Sequence, residues 1–226
     1  MNLENFKTKS LITLLTISSF GYWFVYKYFL NPYLFSKIIT EKDAVDAIGF
    51  MSVSGFSYLI LSIIEKYAWK LKIRNYQFFS WLIDIPNING RYIGKTISSY
   101  KDVNGEKTQI DCVVEVTQTA STINLKVYNC HPETKFRTES ESVSKVIKIN
   151  KGIGFYRIHY HYEHKNSENS ENSNINYGAG YFDYFPTTKE LKGDYFNNRG
   201  NRGDITTIFQ NKKLQHKFDV ANTNQN

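Results

Sequence analysis

The sequence predicts a small antiparallel β-barrel of about eight strands, carried behind two N-terminal transmembrane helices. Three observations predict it. Two uncharged hydrophobic runs stand in tandem before residue 65. After Pro86, apolar residues recur at every second position between turn signals, the period of a strand with one buried face. The chain of 226 residues also holds 17 tyrosines and 16 phenylalanines but only 4 prolines, which suits strands joined by short turns.

The first run, SLITLLTISSFGYWFVY, lies between Lys9 and Lys27. At about 17 residues it sits at the short end of a membrane span, and a snorkelling Lys27 lets it extend to Leu30. The second, AIGFMSVSGFSYLILSII, lies between Asp46 and Glu65. Residues 1–64 are therefore expected to form a membrane hairpin. Lys7 and Lys9 precede it, and Lys66, Lys70, Lys72 and Arg74 follow it, while the connecting loop offers only Lys37 and Lys42. That excess of basic residues on both outer flanks puts both termini of a multi-pass protein in the cytoplasm. No small-residue cleavage site follows the first run, which argues against a signal peptide. Residues 65–86 mix Lys and Arg with Tyr67, Trp69, Tyr76, Phe78, Phe79 and Trp81, as expected of an interfacial or linker helix.

Residues 87–226 are expected to be the cytosolic barrel, with a flexible tail after about 214. Strands are predicted at 89–101, 108–119, 122–129, 137–149, 154–164, 175–185, 190–197 and 203–211, with Asn104-Gly105 as a hairpin turn. Eight sequential strands favour up-and-down closure, which removes exposed edges, over a sandwich. The low-complexity NSENSENSN, residues 166–174, is expected as a flexible loop.

Catalysis is not expected. GxSxG, Walker and HExxH patterns are missing, so no cofactor is expected. In HYHYEH, residues 159–164, His159 and His161 share one strand face and His164 takes the other, so no metal site is assigned. The two cysteines, Cys112 and Cys130, make neither a CxxC pair nor a disulfide framework. A net charge of +7 allows an anionic partner: nucleotide, nucleic acid or lipid.

Alternation on the 154–164 strand sends Tyr156, Ile158, Tyr160 and Tyr162 inward, and tyrosines both stack on bases and hydrogen-bond to them. In LKGDYFNNRGNRGDI, residues 191–205, Asn197 to Gly203 suits a tight reversal at a barrel rim. Arg199 and Arg202 would flank it, and guanidinium forks pair well with phosphates. Arg91 and Arg157 add basic groups on other strands.

Taken in order, the paired runs, PNINGRYIGK, NYGAGYFDYF and the final segment with Gly193, Tyr195, Asn198, Arg199 and Gly203 resemble the CD-NTase-associated two-transmembrane β-barrel effectors of bacterial CBASS antiphage defence. Tyr92 stands where that family more often has tryptophan. The resemblance implies a barrel that senses a cyclic di- or oligonucleotide made by a partner nucleotidyltransferase. It also implies that the membrane is a bacterial inner membrane, with ligand-driven homo-oligomerisation and membrane disruption that kills the infected cell. Arg199 and Arg202 would then pair with phosphates, Tyr195 and Tyr160 would contact bases, and Asn198 would read a base edge or ribose. Arg91 and Tyr92 form a second tier of ligand-binding candidates. Expected partners are the cyclic oligonucleotide, membrane lipid and further copies of the chain, with no polymeric nucleic acid. The alternative is a membrane-anchored barrel that binds or carries a lipid-like molecule.

Overall fold

A computed structural model describes residues 5–29, 42–73, 76–101, 105–135, 137–143, 149–166 and 176–218, with the side chains of the second helix described from Val53 onward. The chain divides into two compact units, Met1–Ile85 with Thr119–Ser121, and Pro86–Gln118 with Thr122–Asn226.

In the first unit, α1 (Thr8–Val25) packs on α2 (Lys42–Lys66). Their seam holds hydroxyls: Ser57 lies within hydrogen-bond reach of Ser18 and Ser19, and Tyr22 packs on Phe56. Ile12, Ile17, Phe20 and Phe24 of α1, with Leu59 and Ile63 of α2, stay exposed. Among the described residues, no helix is long and apolar enough to cross a membrane. The helix expected over 65–86 is not formed beyond Lys66. A 3-10 turn (Ala68–Lys70) and a two-residue hairpin, β1 (Lys72–Ile73) with β2 (Tyr76–Gln77), follow instead. Aromatic and β-branched residues here have little helix preference. Gln77 donates its side-chain amide to the Trp69 carbonyl, which fixes the reversal.

The second unit is a closed antiparallel barrel. Its strands are β3 (Gly90–Lys101), β4 (Lys107–Gln118), β5 (Ile123–Cys130), β6 (Arg137–Ser142), β7 (Ile149–Lys151), β8 (Tyr156–Asn166), β9 (Asn176–Phe185), β10 (Glu190–Asn197) and β11 (Arg202–Asn211). β3 to β6 pair in sequence, as do β7 to β11; β11 pairs back with β3, and β6 pairs with β8 at Ser140 and His164 to close the ring. The single strand expected at 137–149 is two pieces, β6 and β7, which lie along successive parts of β8 and together supply one stave of an eight-stave barrel. The expected Asn104 turn position and nearly all of the 166–174 loop fall outside the described residues.

Strand alternation sorts the side chains by face. Tyr92, Val114, Val116, Ile123, Leu125, Ile158, Phe182, Tyr184 and Leu191 point inward and form one buried cluster. They fill the end at which the chain enters β3, where Tyr92 donates its hydroxyl to the Ile88 carbonyl. Cys112 is inside and wholly buried, its thiol pushed up to about 12 chiefly by desolvation. Cys130 stands beside Asp111 in the register and so faces the other side of the wall. Both cysteines are free.

Of the flexible tail expected after about 214, residues 215–217 are instead held against the outer wall, and residues 219–226 lie outside the described residues. Glu115, 2% exposed, accepts the backbone N–H groups of Gln215 and His216 at 2.8 and 3.1 Å. Arg91, fully buried, meets Glu115 at 2.6 Å and donates to the Lys217 carbonyl and the Gln210 side chain. This strap buries an ion pair that would otherwise face water, and each charge keeps several hydrogen-bond partners, the condition for tolerating buried charge.

Candidate functional site

The end of the barrel opposite the packed core holds a cavity of about 280 Å³. Inward positions of several strands line it: Thr96 and Ser98 on β3, Asn129 on β5, Thr138 and Ser140 on β6, and Tyr160 and Tyr162 on β8. Tyr195 and Asn197 at the end of β10, with Arg199 and Asn201 of the turn that follows, complete the wall.

Glycines explain how three tyrosines fit side by side. Tyr162 pairs across the sheet with Gly178, Tyr160 with Gly180, and Tyr195 with Gly203. A Cβ on Gly178 would lie 2.2 Å from the Tyr162 ring, and one on Gly203 would lie 2.8 Å from that of Tyr195. Each ring therefore lies over a neighbour that has no side chain, an arrangement that rescues glycine in a strand. Tyr160 also stacks on Phe182, with ring centroids 5.2 Å apart and planes within 8°. Burial holds the Tyr160 and Tyr162 hydroxyls well above their ordinary pKa, so both are neutral donors at physiological pH.

The rim turn is organised by Asn197. Its side-chain oxygen accepts the backbone N–H groups of Arg199 and Asn201 at 3.1 and 3.0 Å, while its own N–H donates to the Asn201 carbonyl. Gly200 takes φ +79°, a conformation that glycine adopts without strain. The result is a fixed turn presenting an exposed Arg199 over the cavity.

The structure thus brings Tyr160, Tyr195 and Arg199 together. It places the other four candidates elsewhere. Asn198 is exposed, its N–H spent on the Tyr177 carbonyl, and its neighbour Asn197 lines the cavity instead. Arg202 begins β11 on the outer face, beside Phe196 and His161. Tyr92 belongs to the packed end, and Arg91 to the strap. Arg91 and Tyr92 are adjacent on one strand, so pleating already forbids both from facing one cavity. Arg157 is also outside, forking onto Asp183 with two 2.7 Å hydrogen bonds. His159 and His161 are exposed as alternation predicts, and no metal cluster occurs among the described residues.

Sequence reasoning missed the hydroxyl and amide lining and His131, which stands at the rim. The signal was parity. Ile123, Leu125 and Val127 point inward, so Asn129 and His131 continue the same series.

Fold and cavity define a class: a closed β-barrel receptor with an aromatic, hydrogen-bonding pocket and a cationic rim. Residues 83–209 match the family described as Cap15, cyclic dinucleotide receptor domain. The match spans more than half of the chain, and the chain belongs to that family. No curated protein sequence matches it.

Proposed function

We propose that the chain is an antiphage effector of CBASS defence whose barrel binds a cyclic oligonucleotide from a partner nucleotidyltransferase. Binding gathers copies of the chain, and the two helices then disrupt the bacterial inner membrane. The protein acts by binding, without a catalytic step. The observation that carries the receptor half is the tyrosine-walled cavity with Arg199 at its rim, in a barrel of the cyclic dinucleotide receptor family. A lipid carrier would need a mainly aliphatic lining, and the hydroxyls and amides here disfavour it.

The membrane half draws support from the outer surface of the helix pair. Ile12, Ile17, Phe20 and Phe24 of α1 and Leu59 and Ile63 of α2 point outward, as expected where lipid surrounds the helices. Basic flanks then leave both termini in the cytoplasm. Ligand promotes assembly only if it binds the assembled form more tightly than the single chain. Full-length protein reconstituted into dye-loaded anionic liposomes is the test. Cyclic dinucleotide should release the dye from wild-type vesicles and fail to do so with Arg199→Ala. Equal release with and without ligand would defeat the reading.

A further inference from the structure

We propose that the ligand enters base first: one nucleobase occupies the tyrosine-walled interior, and the phosphates remain at the rim between Arg199 and the Nε2–H of His131. This rests on the receptor reading above and adds an orientation and a ligand-binding residue to it.

Size comes first. A cavity of about 280 Å³ lies at the small end of ligand pockets, roughly 300–1,000 Å³. It admits part of a dinucleotide, so one portion must remain outside. Charge decides which portion. Among the described lining residues, Arg199 is the one permanent cation, and it is on the rim turn. The interior offers the neutral groups of Thr96, Ser98, Asn129 and Thr138. A phosphodiester taken into that interior would lose its water without gaining a counter-charge, whereas a base loses little.

A donor turned to the cavity marks where the base sits. Tyr160 lines the cavity, and its hydroxyl, which has no hydrogen-bond partner among the described residues, can donate to what enters there. The ring nitrogens and carbonyls of a base are acceptors of the right kind. Tyr162 and Tyr195 supply flat neighbours, with ring centroids 5.9 Å from Tyr160 to Tyr162 and 6.5 Å from Tyr162 to Tyr195.

His131 supplies the second rim contact. Its Nδ1 accepts the backbone N–H groups of Glu133 and Thr134, both at 3.3 Å. In the neutral ring the hydrogen therefore lies on Nε2. The same contacts that cap the turn after β5 fix the tautomer, leaving one N–H donor on a residue that lines the cavity.

The test uses the full-length chain in detergent micelles, titrated calorimetrically with cyclic di-AMP, cyclic di-GMP and cyclic UMP–AMP at two salt concentrations. With whichever probe binds most tightly, Tyr160→Phe should weaken binding about 3- to 10-fold, the worth of one neutral hydrogen bond, with its salt dependence unchanged. Arg199→Ala should flatten the salt dependence. His131→Ala should weaken binding by a similar factor and move the bound ligand's ³¹P resonances, and His131→Gln, which keeps an N–H donor, should restore most of the loss. Tyr160→Phe should leave those resonances in place. Wild-type affinity in Tyr160→Phe or in His131→Ala, or a salt dependence flattened by Tyr160→Phe, would overturn the orientation while leaving the receptor reading intact. Failure of every probe to bind the wild-type chain would instead remove the receptor reading itself.

Discussion

Arg91→Ala should damage the barrel and spare the ligand site. Arg91 is fully buried and donates to Glu115 at 2.6 Å and to the Lys217 carbonyl at 3.1 Å. Its removal leaves Glu115, 2% exposed, without its guanidinium partner and supported by the backbone N–H groups of the strap and the His216 imidazole at 3.6 Å. Breaking one side of a buried pair in this way costs about 3–5 kcal/mol. At about 2–4 °C per kcal/mol for a domain of this size, Tm should fall by about 6–20 °C. The strap should loosen too, so hydrogen exchange at the Gln215 and His216 amides should rise well before global unfolding. Joint replacement, Arg91→Met with Glu115→Leu, should lose less than either single change, because no charge is then stranded. The assay is thermal unfolding by circular dichroism with exchange mass spectrometry on the full-length chain, beside a cyclic dinucleotide titration below the transition. An undiminished Tm, or cyclic dinucleotide affinity that falls while the strap stays protected, would refute the reasoning and return Arg91 to the ligand site.

Gly178→Val should place its branched side chain against the Tyr162 ring and the Phe196 carbonyl, which a Cβ would already meet at 2.2 and 2.5 Å. Cyclic dinucleotide affinity should fall more than 10-fold, and circular dichroism should show that the barrel persists. Alkali should unfold the barrel cooperatively. Desolvation raises the pKa of Tyr92, Tyr160 and Tyr162 above the unfolded value, so their contribution is intact below about pH 10. It is lost as pH rises through the folded values, because only the unfolded chain has then released those protons. Absorbance at the tyrosinate band should therefore rise in step with loss of structure. If the proposed membrane role holds, carbonate-washed bacterial membranes should retain the wild type, and Ile17→Asp, which places a charge on the exposed apolar face of α1, should release the chain.

Much of the barrel was legible because its alternation is local. Each predicted strand is found within a few residues of its expected ends, except that 137–149 is divided. The rim turn was legible as well, since Asn and Gly at 197–203 carry their own geometry. Arg91 was not, for its partners lie at Glu115 and, across the whole barrel sequence, at Lys217. Nothing local announces that a tail will cover an outward arginine and make it structural. Tyr160 and Tyr195 could be read as inward, but the glycines that make room for them matter only once register pairs the strands. His131 was overlooked because a histidine just past a strand reads as an ordinary turn residue until the cavity beside it is seen.

Calorimetric titration of the wild-type full-length chain with the three cyclic dinucleotides addresses the central claim most directly. Saturable binding of at least one of them, weakened by added salt, is the predicted result. A flat thermogram for all three, with the barrel shown to be folded in the same sample, would contradict it.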